Sequence, residues 1–492
     1  MYGCGVSAVG GLISLVSRRG ENVIPEAIKV LGVLRHRGAV YGVSTDSATF
    51  GFEDLESLTT LLRDTKSSIA LGYIFNPILL GDAPQPIEWG EFRIAFDGRG
   101  FRPPLGASAI SNIVGRFSSA KDAAESIIRD VDGSFAFVIL EDSGRMFAGR
   151  DPMGAKPLYL GVSERLYALA SERKALWALG IGDECIRSLP PGSLVEISES
   201  SLIIRPVKTL EKPKIRLIGG VEAVQELHRI LLESVRKRTV GLEAVSVPFS
   251  GGLDSTVIAA LAVEAGVRPL LISVGLEGSE DLEHAEKVAG EIGLPIKAKA
   301  YTIEDVEETL PKVIWLIEED NALKASIYIP LFWAAETSSG MGFRAMLSGQ
   351  GSDELFAGYH KYLKDYCRSE KDLEQTLYND VLRLHEASLE PEEKVCSFHS
   401  VEVIFPYVDY DLASLALSLP ASMKIASADD PLRKRILRHL ARHMGLPQEV
   451  YLRPKKAIQY GSGVSKALNR IARRKGLKMH ELVSQIFRGL VV

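Results

Sequence analysis

The sequence predicts a chain of mixed α+β and α/β class, built as two domains, and three observations carry that reading. Residues 1–205 are strand-rich, with short apolar runs cut by Gly, Asp and Ser. From 221 onward strands and helices alternate, the pattern of a parallel sheet with crossover helices. Between them EKPKIRLIGG (211–220) is charged and carries Pro and Gly, as linkers do. The expected domains are 1–207 and 221–492, joined by a linker over 208–220. The length of 492 residues agrees, since ~150 residues per domain gives two or three domains.

The opening MYGCGVSAVGGLISLVSRRG (1–20) reads as a buried strand. A secretory signal puts positive charge before its apolar run, whereas Arg18 and Arg19 follow it. Helices are expected near 25–35 and 120–130, and strands over 133–142, 144–151 and 157–163. In the second half the expected order is helix 221–238, strand 244–249, helix 256–266, strand 268–275, helix 281–293 and strand 295–300. From 305 the chain reads as mostly helical, with no internal repeat or low-complexity segment.

Composition narrows the partners. Hydrophobic residues are 46% and charged residues 25%, a globular balance. A net charge of −5 gives no support for a nucleic-acid surface. No uncharged run approaches the ~20 residues of a membrane span. Cys4, Cys185, Cys367 and Cys396 are scattered without metal spacing, which suits a reducing, cytosolic setting. All four read as ordinary buried thiols, and His36 as structural.

SGGLDS (250–255) lies between the apolar, β-prone AVSVPF and the helical TVIAALAVEAG. It is a strand-to-helix turn, where unpaired backbone N–H groups at the positive end of a helix favour a phosphate. The GxxxxGK[ST] nucleotide loop does not fit, because the Lys is missing. Asp254 adds a hard oxygen ligand suited to Mg²⁺. MLSGQGSDELFAGYHKY (346–362) repeats the plan: apolar stub, SGxGSD, helix. Asp254 and Asp353 could thus clamp one Mg²⁺–polyphosphate from two turns at the carboxyl ends of the strands.

These motifs resemble those of the glutamine-dependent asparagine synthetases, over nearly the whole chain. SGGLDS is similar to the family's pyrophosphate loop, and GLEGSEDLEHAEKVAGEIGL (275–294) to the nucleotide segment after it. LSGQGSDELFAGY (347–359) resembles LSGEGxDExFGGY. FPYVDYDLASLALSLP (405–420), PLRKRILR (431–438) and RPKKAIQYGSG (453–463) resemble its helical region and late lysine loop. LRHRG (34–38), QPI (85–87), GRDPMGAKPLY (149–159) and SERKAL (171–176) resemble its glutaminase domain.

The resemblance implies an N-terminal four-layer αββα domain of the Ntn-hydrolase type and a C-terminal ATP-pyrophosphatase domain with a helical C-terminal part. It implies that ATP and aspartate form β-aspartyl-AMP and pyrophosphate, and that ammonia then displaces AMP to give asparagine. By the match, Asp254 and Asp353 would hold Mg²⁺. Ser250, Gly251, Gly252, Leu253, Asp254 and Ser255 would hold ATP and its pyrophosphate. Val274, Ser348 and Gly349 would contact the nucleotide, and Lys455 would neutralise phosphoryl charge. Gln350 stands where the family usually has Glu; it cannot take a proton but could orient the aspartyl group.

The glutaminase half departs further. Cys4 is the candidate nucleophile, but it gains a free α-amine only if Met1, Tyr2 and Gly3 are trimmed. The segment that should carry an arginine for the glutamine carboxylate is YIFNPILLGD (73–82), which has none. PPLGASAISNIVGRF (103–117) offers no clear acid for the substrate amine. The glutamine-site candidates Asp97 and Gly98 stand where the family has Asn-Gly, so Asp97 would put negative charge where an oxyanion forms. The expectation is a retained glutaminase fold with damaged chemistry. The implied small molecules are aspartate, ATP, and glutamine or ammonia; a homodimer is compatible but not required. Two other readings remain: an adenylating ligase of the same fold acting on another carboxylate, β-lactam synthetase-like, and a non-catalytic regulatory protein.

Overall fold

The computed structural model describes residues 9–76, 84–102 and 104–491. The chain divides into two compact units, Met1–Thr209 and Leu210–Val492.

The first unit holds two antiparallel sheets. One runs Ile186–Ser188, Tyr159–Val162, Leu166–Ala170, Gly10–Ser17, Ile69–Phe75, Val40–Ser44, Thr49–Phe52. The other runs Leu202–Pro206, Ser193–Ile197, Met146–Arg150, Asp132–Glu141, Phe92–Arg102, Ile87–Trp89. Side chains alternate across a strand, and that alternation splits the apolar runs between two cores. Leu12, Val16, Leu71 and Tyr73 meet Ala136, Val138 and Val195 between the sheets. Ile13, Leu15, Ala70 and Ile74 face away and pack with residues of helices Ile24–Val33 and Arg173–Trp177. On the far side, Phe96, Phe135 and Phe137 pack with residues of helices Ala107–Val114 and Ala120–Asp130. The result is helix, sheet, sheet, helix. It explains why the central strands Gly10–Ser17 and Ile69–Phe75 are buried at every position: both faces are covered.

The second unit holds a five-stranded parallel sheet in the order Ile296–Tyr301, Arg268–Leu276, Ala244–Pro248, Ala345–Leu347, Glu402–Ile404. The sequence order reverses between Ala244–Pro248 and Ala345–Leu347, and ligands bind at such a switch point beyond the strand ends. Both glycine-rich turns follow one of these two strands.

Some expectations need correction. The helix after SGGLDS begins at Leu253, not 256, because Gly252 takes the extended N-cap conformation and Asp254 and Ser255 enter the first turn. Asp is favoured there by the helix dipole. The short strand Glu402–Ile404 interrupts the stretch read as helical. Cys396 is buried, but Cys185 and Cys367 are exposed; the burial preference of the residue type does not decide single positions. No helix among the described residues is long and apolar enough to cross a membrane.

Candidate active site

Strand Ala244–Pro248 delivers Phe249, whose N–H donates to the Ile272 carbonyl and ties the turn to the neighbouring strand. Gly251 then adopts φ +67°, a left-handed conformation that glycine takes without penalty. A Cβ here would lie 2.7 Å from the His284 ring, so close packing also demands glycine. Ser250 precedes Gly251, Gly252 is the N-cap, and Leu253, Asp254 and Ser255 open the twelve-residue helix Leu253–Glu264. Val274 lies near the end of the adjacent strand, paired with Lys299.

The second turn sits against the first. A Cβ on Gly349 would stand 3.2 Å from the Asp254 Cβ, so glycine permits the approach. The Ser348 N–H donates to the Ile404 carbonyl at 2.8 Å, and the Gln350 N–H donates to Ser348 Oγ at 3.2 Å. Gly351 caps helix Ser352–Phe356 at φ +94°. That helix carries Asp353.

Asp254 and Asp353 are brought to a common cation. Lys434 Nζ lies 2.7 Å from both Asp254 carboxylate oxygens, 2.6 Å from Asp353 Oδ1 and 2.8 Å from Ser352 Oγ. Lys455 pairs with Asp353 and lies 3.9 Å from Asp254 Oδ2. Burial alone would raise the Asp353 pKa, but Lys434 and Lys455 outweigh it and hold it at about 2. Burial works against the Lys455 charge, and the two aspartates reverse that, raising its pKa. Arg453 Nη1 donates to the Ser250 carbonyl at 3.4 Å and faces Asp281 at 3.6 Å.

Sequence reasoning missed Lys434. It lies inside PLRKRILR, but its role depends on a backbone turn: Arg433 and Lys434 adopt φ +50° and +51°. Left-handed conformations at non-glycine residues store roughly 1–3 kcal/mol each and cluster at functional sites. Gly358 completes the nest, since a Cβ there would strike Asp353 and Lys434. Glu354 was missed as well. Burial and the Asp353 charge push its pKa up to about 7, while Tyr359 donates to it at 2.8 Å.

The donor set fits Mg²⁺ in one respect: two carboxylates already converge on one positive centre. Mg²⁺ takes one or two carboxylates plus substrate phosphates, not a full protein cage. No cluster of three or more His, Cys, Asp or Glu suited to a metal occurs among the described residues.

In the first unit, Cys4 and residues 77–83 lie outside the described residues. Asp97 is buried on strand Phe92–Arg102 and faces Lys156 Nζ at 3.7 Å, so its charge meets a cation. Gly98 adopts φ +119°, and a Cβ there would strike the Ser134 carbonyl. His36 lies 2.9 Å from the buried Glu172, which also pairs with Arg37 and Lys174. The structural role expected of His36 fits this cluster.

The model of the asparagine synthase family matches residues 226–373 and 367–488, and that of a glutamine amidotransferase domain matches 111–178. A Methanocaldococcus jannaschii protein described as "Putative asparagine synthetase (glutamine-hydrolyzing) 1" is 31% identical, covering 94% of this chain and 96% of its own. Escherichia coli (strain K12) asparagine synthetase B, glutamine-hydrolyzing, is 29% identical over 68% of this chain and 62% of its own. The asparagine synthetase of Sandersonia aurantiaca is 27% identical over 76% of this chain and 72% of its own. With its two-sheet and parallel-sheet units and these likenesses along its length, the chain belongs to the asparagine synthetase family.

Proposed function

We propose that the chain makes asparagine from aspartate, ATP and ammonia through β-aspartyl-AMP, in the synthetase half, residues 221–492. One observation carries the reading: Asp254 and Asp353, from two turns at the switch point, share Lys434 and Lys455. In this reading the backbone of Ser250–Ser255 and the dipole of helix Leu253–Glu264 bind the pyrophosphate. Val274, Ser348 and Gly349 border the nucleotide. Lys455 neutralises charge as the α-phosphate is attacked by the aspartate carboxylate. Gln350 orients the aspartyl group. Asp254 and Asp353 would hold Mg²⁺, which supplies positive charge to the leaving pyrophosphate oxygens when bound.

The glutaminase-like half is assigned to 1–207, with 208–220 as linker. We propose that it hydrolyses glutamine poorly. The sequence supports this through the missing arginine in 73–82. The Asp97–Lys156 pair softens the earlier objection, because a paired carboxylate opposes an oxyanion less than a bare one.

The test is asparagine formation from ATP, Mg²⁺ and aspartate, with ammonium and with glutamine in parallel. Product with ammonium alone is expected. Equal product with glutamine overturns the silenced-glutaminase part. No product with either, while ATP still binds, moves the assignment to another carboxylate or to a regulatory role.

A further inference from the structure

The loop that carries Lys455 meets one acid at both of its ends. Asp281 lies in the first turn of helix Glu280–Ile292 and is buried, with 5% of its surface exposed. Arg453 Nη2 stands 3.6 Å from Asp281 Oδ1. Further along the loop, Gly461 packs on the same carboxylate, and a Cβ there would strike both of its oxygens. Lys455 sits between these two contacts. The fit is mutual. Glycine at 461 leaves the room that the carboxylate fills. A carboxylate taken out of water needs an opposite charge, and among the described residues Arg453 is its one ion-pair partner.

Other contacts fasten the same pieces. Lys287, on the same helix, pairs at 2.8 Å with Glu449, shortly before the loop. The Leu276 N–H donates to the Ser462 carbonyl at 2.9 Å, which ties the far end of the loop to the strand that carries Val274. The Glu280–Lys456 pair is exposed and contributes little. One turn beyond Asp281 the helix meets the pyrophosphate turn, where His284 Nε2 lies 3.2 Å from the Gly251 carbonyl. Arg453 reaches that turn as well, through the Ser250 carbonyl at 3.4 Å. The start of this helix therefore sets the spacing between the turn and the lysine loop.

We propose that Asp281 is a positioning residue for Lys455, holding both ends of its loop so that the ammonium meets the charge developing on the α-phosphate. The inference rests on the role given to Lys455 above. Asp281 touches no substrate in this account. A lysine stem is long and flexible, so its ammonium is placed only as well as its backbone is. A displacement of about 1 Å can cost about 10²-fold in rate.

The experiment is a double-mutant cycle of Asp281→Asn and Lys455→Ala, read by aspartate-dependent ATP–pyrophosphate exchange, with tryptic cleavage as a second readout. Asp281→Asn alone should slow exchange at saturating ATP by about 10–10²-fold and leave KM for ATP within about threefold. In the Lys455→Ala background the same change should cost less than about twofold, because the lysine it positions is gone. Trypsin should cut after Lys455 and Lys456 about tenfold faster in Asp281→Asn, with cuts elsewhere unchanged. An equal fold-loss in both backgrounds, or cleavage raised everywhere alike, overturns the proposal. If Lys455→Ala shows no exchange, the selectivity of tryptic cleavage in Asp281→Asn decides. If Asp281→Asn does not fold, Gly461→Ala decides, since it drives a methyl group into the same carboxylate: it must give the same rate loss and the same selective cleavage, and an unchanged rate overturns the proposal. A wild type without aspartate-dependent exchange overturns the synthetase reading and this role with it. Normal wild-type exchange with unselective cleavage in the variant overturns Asp281 alone.

Discussion

Lys434 stands 2.7 Å from each carboxylate oxygen of Asp254 and is almost wholly buried. Its ammonium lies between Asp254 and Asp353, where a bridging metal ion would also be drawn. Lys434→Met removes one of the two shared cations and leaves Asp254 and Asp353 with Lys455 alone. Without metal the variant should lose ~3–5 kcal/mol. Mg²⁺ should then raise its melting temperature more than that of wild type, since the ion takes over the missing charge. Thermal unfolding with and without Mg²⁺ checks this, and identical Mg²⁺ responses would refute the shared-cation account.

Asp254→Asn tests the proposed pyrophosphate and metal site directly. The amide keeps the shape of the side chain but not the charge. Aspartate-dependent pyrophosphate exchange should fall by ~10²-fold or more, with circular dichroism unchanged. Full exchange in the variant would remove Asp254 from the metal site.

Gly251→Ala asks whether the first turn needs glycine. Its φ of +67° and the His284 ring at 2.7 Å both oppose a methyl group. The expected cost is ~1–3 kcal/mol of stability, with a raised KM for ATP as the turn shifts. Unfolding by urea and ATP titration give the two numbers. A variant that matches wild type in both would mean that the turn is loose.

Glu392→Gln should act on stability with a definite sign. Burial holds the folded Glu392 carboxyl near pKa 7, above the 4.5 of an ordinary glutamate. Between those values the folded chain holds more protons than the unfolded one, so Glu392 lowers stability as pH rises through this window. The Gln variant should therefore match wild type near pH 4.5 and be more stable by a few kcal/mol above about pH 7. Unfolding at the two pH values checks it; a variant less stable at the higher pH would contradict the burial argument.

The parts of the molecule written in neighbouring residues were legible. SGGLDS declares its turn because glycine, serine and aspartate sit between an apolar strand and an apolar helix, all within about twenty residues. The parallel sheet follows from the alternation of such pieces. What the sequence hides is long-range or conformational. Lys434 meets Asp254 across 180 positions, and only the left-handed backbone at 433–434 aims it there. EPEEK is charged at four of five positions, yet all five residues, Glu392 included, are buried in helix Glu390–Phe398, and no local pattern shows that. Glu402–Ile404 spans three residues, too few for a period to show.

The separation of Asp254 from Lys434 also orders events on the ribosome. At ~5–20 residues per second, 180 residues take about 10–40 s to synthesise. During that interval SGGLDS has emerged without its lysines, and Asp353 joins it before either Lys434 or Lys455 exists. The nascent chain thus carries two uncompensated acids that repel one another at the future switch point. Closure of the nucleotide turns waits on the last stretch of translation, so a chain stalled before 434 can form its early strands and helices but not the charge cluster that joins the two turns.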